Sequence, residues 1–381
     1  MYDTKKKLSF LETLSLVGVL ARLPFHLIFV AAFSPFLAKT KRKSLKRAIS
    51  EAFPGYLIAN LSVPQIQRLL GPSTNTYLAW AKKNSVKPVV EDVGSGGAKL
   101  LWLTEKKTDR VFLYVHGGGY MTTTTDGMIG FGPGLRKELL KQTGGKEDFS
   151  VAFLVYTLHP AKFPTQLAEL VTALTQVISS GVSPENIILV GDSAGGNLLV
   201  QFIQHTFRPV PGIPLSPFSE IADVDVPRKL LGGMWLVSPW TSLGSPTPSY
   251  ARNDKYDWVS AASFNYWGSQ YVDGVSESQL SYINPSSATS LKGIEKITSR
   301  VLITAGSHEC LLDDSLAIHS MIEELKIPRS KLEVTLDIEE GGVHEDVILD
   351  IDTPQKAGGR LSDATLRDLE WVRKTFGASS R

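Results

Sequence analysis

At 381 residues, with 43% apolar and 20% charged side chains, the chain is long enough for an extensive core and too balanced in composition for collagen-like, coiled-coil or fully disordered classes. A single cysteine, Cys310, excludes an internal disulfide and a cysteine-built zinc or iron–sulfur site. The net charge of +2 divides unevenly, residues 1–47 holding ten Lys/Arg against two acids (+8) and the remainder 30 against 36 (−6), so basic side chains do not spread over a folded face as nucleic-acid binding requires.

The first element is an apolar stretch from Leu11 to Leu37, interrupted by Arg22, Pro24, His26 and Pro35. It lacks the clean run of about 20 apolar residues that a straight spanning helix needs. Lys5, Lys6 and Lys7 precede it, and Lys39, Lys41, Arg42, Lys43, Lys46 and Arg47 follow. Basic flanks on both sides suit an anionic membrane surface, so residues 1–47 read as an in-plane or re-entrant anchor. A cap helix packing its apolar stripe on the following domain is the alternative, and the two can coexist. No small-residue cleavage site stands clear after the apolar run, which disfavours a removable signal peptide. Residues 48–94 read as a helical continuation of the cap.

From residue 95 to the end, short β-rich runs alternate with helical patterns, the signature of an α/β domain with a mostly parallel sheet flanked by helices. The expected strands are Ala98–Leu103, Val111–Val115, Val151–Tyr156, Ile187–Gly191, Met234–Ser238, Val301–Ala305 and Leu332–Ile338. Leu167, Leu170, Val171, Leu174 and Ile178 keep helical spacing, as do Ile318, Met321, Ile322 and Leu325 before the breaker Pro328. Residues 207–230, with five prolines, and residues 244–299, dense in Tyr and Trp, read as excursions from the sheet.

The first chemical signal is His116-Gly117-Gly118-Gly119, placed at the end of the run Val111–Val115. Successive glycines there let backbone N–H groups turn toward an oxyanion without side-chain obstruction. His116 itself reads as a structural hydrogen-bonder of this loop. The sharpest signal follows a full strand–helix unit later: Gly191-Asp192-Ser193-Ala194-Gly195-Gly196, directly after Ile187–Val190 and before a helical pattern. A GxSxG between strand and helix is a nucleophile elbow, in which a tight, strained turn lifts the serine oxygen clear of the sheet. Ser193 is the expected nucleophile.

A serine hydroxyl needs an imidazole to take its proton and a carboxylate to hold that imidazole. The order for this arrangement is Ser, then acid, then His. The acid belongs just past Val301–Ala305, where Glu309 comes first; Asp313 is the runner-up, with helix capping as its default role. Of His205, His308, His319 and His344, the last follows the final expected strand in the flexible Gly341-Gly342-Val343-His344, so it takes the base role. Trp240, Tyr266 and Trp267 are the aromatic side chains expected to touch substrate. His308 beside Glu309 lacks a third ligand at useful spacing, so neither metal nor cofactor is expected.

With these residues in place the chain resembles the hormone-sensitive-lipase-like branch of α/β-hydrolases, which includes arylacetamide deacetylases and fungal steryl acetyl hydrolases. The resemblance covers roughly residues 95–350 and rests on His116–Gly119 as HGGG, Gly191–Gly196 as GDSAGG and Ser238-Pro239-Trp240 as SPW. Tyr156–Pro160 with Phe163-Pro164 is similar to the family's Tyr-x-Leu-Ala-Pro-Glu segment, with His159 and Ala161 in place of Ala and Glu. The usual His-Gly-Phe becomes His344-Glu345-Asp346, and the common aspartate becomes Glu309. The match implies that Gly118, Gly119 and Ala194 supply oxyanion-hole N–H groups. It also implies a serine hydrolase acting on a hydrophobic ester or amide with a short acyl or acetyl group. Alternatives on the same triad are a biosynthetic step, either acyl transfer to another alcohol or cyclisation of a lipophilic intermediate; a non-catalytic ligand-binding member is a third reading. Membrane-attached relatives imply an endoplasmic-reticulum membrane location, with a soluble cytoplasmic protein as the alternative. If the first segment spans, its greater positive count on the C-terminal side puts the catalytic domain in the cytoplasm, whereas the sequon Asn60-Leu61-Ser62 requires the lumen.

Overall fold

The computed structural model describes residues 8–41, 43–219, 229–325 and 331–378. Lys5, Lys6, Lys7, Arg42, the middle of the proline-rich 207–230 excursion and Pro328 lie outside the described residues. An eight-stranded sheet is built from β1 (Val89–Val93), β2 (Ala98–Trp102), β3 (Val111–Val115), β4 (Ser150–Val155), β5 (Ile187–Asp192), β6 (Gly233–Val237), β7 (Arg300–Gly306) and β8 (Glu333–Glu339). Its order is β1-β2-β4-β3-β5-β6-β7-β8. Strands β4 to β8 with β3 pair in parallel, while β2 joins β4, and β1 joins β2, in antiparallel register.

The seven expected strands are present, and β1 is an addition. Its sequence VVEDV buries only Val93 fully, and Glu91 and Asp92 pair with Lys106 and Lys99 at the sheet edge. A half-exposed edge strand carries too little apolar alternation to stand out. The central strands are the opposite case. All five residues of β3 are buried, Val111, Leu113 and Val115 entering one core and Phe112 and Tyr114 the other. A sheet covered on both faces demands such continuous apolar runs.

Helices α1 (Phe10–Phe33), α2 (Leu45–Asn60), α3 (Val63–Leu70) and α4 (Ser73–Lys83) precede the sheet, and α5 (Asp126–Thr143), α6 (Thr165–Ser179) and α7 (Ala194–Phe207) connect its first strands. The 244–299 excursion folds mainly as α8 (Pro248–Asn253), α9 (Ala261–Val272) and α10 (Glu277–Ile283). α11 (Leu312–Glu324), α12 (Asp346–Asp352) and α13 (Asp363–Ala378) follow β7 and β8. α6 and α7 cover the Leu113 face, and residues of α5 and α13 cover the Phe112 face.

Not all of the basic flank faces outward. Arg47 is fully buried, its Nε 2.6 Å from Glu51 Oε1 and its Nη2 paired with Asp346. Lys43 also pairs with Glu51, and Lys39 Nζ donates to the Asp257 carbonyl. Arg47 and Lys39 therefore fasten α2 and the loop before it onto the sheet domain, Lys43 ties that loop to α2, and Lys41 and Lys46 are exposed. Removing one partner of the buried Arg47 pair would strand the other charge, at a cost of about 3–5 kcal/mol.

Candidate active site

β3 is flanked by β4 on one side and β5 on the other. The chain order reverses there, so the loops leaving the carboxyl ends of β3 and β5 frame a crevice, the usual ligand position in such sheets. The two glycine-rich motifs are those two loops.

β5 ends in an abrupt turn at Ser193, whose φ of 48° lies in the left-handed region. A non-glycine residue stays there only when its surroundings enforce it. Ser193 N–H donates to the Val237 carbonyl at 2.9 Å, and Ser193 O accepts from the N–H groups of Trp240 and Asn197 at 3.0 Å. A Cβ at Gly195 would collide with the carbonyls of Val115 and His116, so glycine is required where the elbow meets the end of β3. α7 starts at Ala194, and its first N–H groups have no intrahelical acceptor and lie at the positive end of the helix dipole.

The β3 loop turns through Gly118 (φ 87°) and Gly119 (φ 63°), and a Cβ on Gly119 would enter the Trp267 ring. His116 is fully buried, with Nδ1 2.8 Å from the Gly117 carbonyl and its ring stacked on Tyr156 at 4.3 Å. Burial holds the imidazole down to about 4, so it is neutral and orients the loop. Tyr156 Oη donates to the His116 carbonyl at 2.8 Å, completing that support.

His344 sits in the loop after β8, its ring edge-on to Phe264 at 5.2 Å and its carbonyl accepting from Trp258 Nε1 at 2.8 Å. Burial lowers the imidazole, partly opposed by Asp257 and Asp192. Nε2 lies 3.3 Å from Glu345 Oε1, and Nδ1 is buried with no hydrogen-bond partner among the described residues. Glu309 is buried after β7; its Oε2 accepts from Ser238 Oγ at 2.6 Å and Gly306 N–H at 3.1 Å, while Oε1 has no hydrogen-bond partner among the described residues. Burial pushes the Glu309 carboxyl well up, against those two hydrogen bonds.

Asp313 is occupied elsewhere, accepting from Ser249 N–H at 2.8 Å and Arg252 Nη2 at 2.7 Å. The other histidines also have separate surroundings. His205 bonds within the α7 end through the Pro214 carbonyl and Val210 N–H, His308 stacks on Tyr256 and His319 lies near Glu323.

Two neighbours of these residues were not read from the sequence. Asp257, fully buried in the aromatic excursion, accepts His344 N–H at 3.1 Å and Cys310 N–H at 2.7 Å, joining the His344 loop to the Glu309 loop. Glu345 holds φ 57° at the start of α12, where the resembling family has glycine, and its carboxyl faces Asp192 as well as His344. Burial pushes Glu345 up to about 7 and Asp192 well above the carboxylate range. The identity of Glu345 as a departure from His-Gly-Phe was the only available signal; Asp257 offered none.

Ser193, His344, Gly118 and Gly119 line one cavity of about 300 Å³. Trp258, Phe264 and Trp267 form one wall, Met128 and Ile348 another, and Leu57 and Ile66 of α2 and α3 contribute to the apolar lining. Of the three aromatics expected to touch substrate, Trp267 lines the cavity, while Trp240 and Tyr266 do not. Trp240 is drawn into the core by its Nε1 bond to Tyr250 Oη at 2.8 Å and its edge contact with Phe264. Tyr266 precedes Trp267 on α9, so the helical rotation turns it outward into solvent. Among the described residues no group of three or more His, Cys, Asp or Glu could hold a metal ion.

Residues 112–347 match a family model described as the alpha/beta hydrolase fold. The chain belongs to the α/β-hydrolase family. Both glycine motifs of this α/β-hydrolase fall inside the matched stretch, as do Glu309 and His344. It is 28% identical over 245 residues to a Schizosaccharomyces pombe protein provisionally named steryl acetyl hydrolase mug81, covering 59% of this chain and 58% of that protein. It is also 28% identical over 128 residues to an acetyl-hydrolase of Streptomyces hygroscopicus, covering 32% and 40% of the two chains. The α/β-hydrolase thus spans less than two thirds of the length of these relatives. Among solved structures, an esterase from the bacterial hormone-sensitive lipase family aligns with a TM-score of 0.58 at 21% identity, over 94% of this chain and 99% of that one. EstE5 aligns with a TM-score of 0.57 at 18% identity, over 83% of this chain and 98% of that one.

Proposed function

We propose that the protein is a serine hydrolase that cleaves carboxylic esters of hydrophobic alcohols, with short acyl groups such as acetyl, through an acyl-enzyme on Ser193. The names of the acetyl-hydrolase relatives support the acyl group, and the apolar cavity supports the hydrophobic alcohol. The observation that carries the reading is that the strained Ser193 elbow, His344 and the Gly118–Gly119 turn open on one cavity.

In this reading His344 Nε2 takes the Ser193 hydroxyl proton as Oγ bonds to the ester carbonyl carbon. The resulting oxyanion accepts from the N–H groups of Gly118, Gly119 and Ala194, each worth roughly 3 kcal/mol of barrier in such sites. The carbon–oxygen bond to the alcohol then breaks, and the alkoxide leaves with the proton from Nε2. Water repeats the cycle: Nε2 takes its proton, hydroxide adds to the acyl carbon, and Ser193 Oγ departs with that proton as the carboxylic acid leaves. Glu309 is the orienting acid. Its open Oε1 and the open Nδ1 of His344 are complementary, whereas the Asp257 carboxylate accepts from three backbone N–H groups. Pairing them lets the carboxylate stabilise the imidazolium as it forms, which is when stabilisation raises the rate.

Hydrolysis of p-nitrophenyl acetate by the purified chain tests the reading. Wild-type turnover that Ser193→Ala abolishes is expected; undiminished turnover in the variant, or none in the wild type, contradicts it.

A further inference from the structure

α1 is 24 residues long, about 36 Å of helix. One side of it is fastened to the protein along most of that length. Gln65 Nε2 donates to the Glu12 carbonyl at 2.8 Å, Tyr56 Oη reaches the Val19 carbonyl at 3.3 Å, and His26 stacks on Tyr56 at 4.7 Å. Val19 and Val30 are buried, and Leu16, Leu20 and Leu23 pack against the core. The contacts run from Glu12 to Val30, so the helix lies along the domain. Threading a bilayer would strip it from α2 and α3.

The opposite side is apolar as well. Leu11, Leu14, Val17, Phe25, Ile28 and Phe29 are exposed, Phe25 at 73% and Ile28 at 65%. A surface helix ordinarily places charges there. Arg22 is the sole Lys or Arg of α1, and its Nε turns back to the Gly18 carbonyl at 3.1 Å. A contiguous apolar surface of this kind marks a membrane or protein contact. Lys41, in the loop after α1, and Lys46, in the first turn of α2, are exposed and complement anionic headgroups, and that charge selects a bilayer over a second copy of the chain.

The helices that seat α1 also reach the cavity. Phe53 of α2 and Leu69 of α3 are exposed at the surface and line the cavity that contains Ser193, with Leu57 and Ile66 buried behind them. An ester entering past Phe53 and Leu69 therefore meets apolar side chains from the surface inward.

We propose that α1 lies in the plane of an anionic bilayer surface, its outward stripe among the acyl chains, and that the cavity takes lipophilic esters from the bilayer past Phe53 and Leu69. This rests on the hydrolase reading above and names where its substrate comes from.

The test uses the full chain, vesicles of phosphatidylcholine with and without phosphatidylserine, hexadecyl acetate carried in the vesicles, and water-soluble p-nitrophenyl acetate. The wild type is expected to float with vesicles, more strongly with phosphatidylserine present, and to hydrolyse both esters. The double variant Phe25→Glu, Ile28→Glu is expected to bind vesicles about a hundredfold more weakly and to lose hexadecyl acetate turnover in proportion. Its p-nitrophenyl acetate turnover should stay at the wild-type rate, which also reports that it is folded. Vesicle binding unaffected by the double substitution overturns the proposal, as does undiminished hexadecyl acetate turnover despite lost binding. A wild-type dimer that ignores vesicles and is dissolved by the same substitutions overturns it in favour of self-association. Failure of the wild type on p-nitrophenyl acetate overturns the hydrolase reading itself.

Discussion

Asp257 joins the two loops that carry Glu309 and His344: Oδ1 accepts the His344 N–H at 3.1 Å and Oδ2 the Cys310 N–H at 2.7 Å. Its Oδ1 also accepts from Trp258 N–H at 2.8 Å, so three backbone donors converge on one buried carboxyl group. Asparagine at this position keeps a single acceptor oxygen and turns a donor toward a donor. Asp257→Asn is expected to lower kcat by about a hundredfold through misplacement of the imidazole, with KM little changed. Steady-state kinetics on p-nitrophenyl acetate, alongside circular dichroism to confirm folding, check this; wild-type kcat would show that the bridge does not position His344.

Glu309 and Asp313 are separated by a pair of substitutions. Glu309 keeps an unmatched buried oxygen, whereas Asp313 is committed to Ser249 and Arg252. Glu309→Gln is expected to reduce kcat by about 10⁴-fold, and Asp313→Asn to leave it near the wild-type value. The reverse ranking would move the acid role to Asp313.

The Asp192–Glu345 pair gives stability a pH dependence of definite sign. Glu345 is pushed up to about 7 by burial, with Asp192, Tyr114, Tyr156, His344 and Asp257 as the titratable groups around this pair. A carboxyl whose folded value is raised contributes stability that is fully present below its unfolded value and is lost as pH rises through the folded one. Its share, about 3 kcal/mol, therefore disappears between roughly pH 4 and pH 7. Glu345→Gln is expected to flatten the fall in Tm between pH 5 and pH 8 measured by calorimetry. An unchanged slope would mean that Glu345 does not titrate in this window.

The oxyanion role proposed for the β3 loop is tested at Gly119, where φ is 63° and an added Cβ meets Trp267. Gly119→Ala is expected to turn the N–H away and reduce kcat by about 10²- to 10³-fold. Gly119→Ala, Trp267→Ala relieves the collision and should recover part of the loss; absence of any loss in the single variant would remove Gly119 from the oxyanion site.

The central strands were legible because burial on both faces forces short continuous apolar runs, as in Val111–Val115 and Ile187–Val190. β1 was not, since only Val93 is fully buried and its charged residues satisfy an edge position. Ser193 and the β3 glycines were legible because a strained turn restricts residue type locally. Asp257 was invisible for the converse reason: its partners are backbone N–H groups at residues 310 and 344, and any sequence can supply those. Trp240 and Arg47 show a second limit. A Trp beside a site motif and a cation in a basic run look like a pocket wall and an exposed flank, but Tyr250 and Asp346 draw them into the interior.

The most direct measurement is mass spectrometry of the intact protein and its tryptic peptides after treatment with a fluorophosphonate. A single adduct on Ser193 is expected, formed by the wild type and strongly slowed in His344→Ala. An unlabelled wild-type protein, or an adduct that forms on another serine, would contradict it.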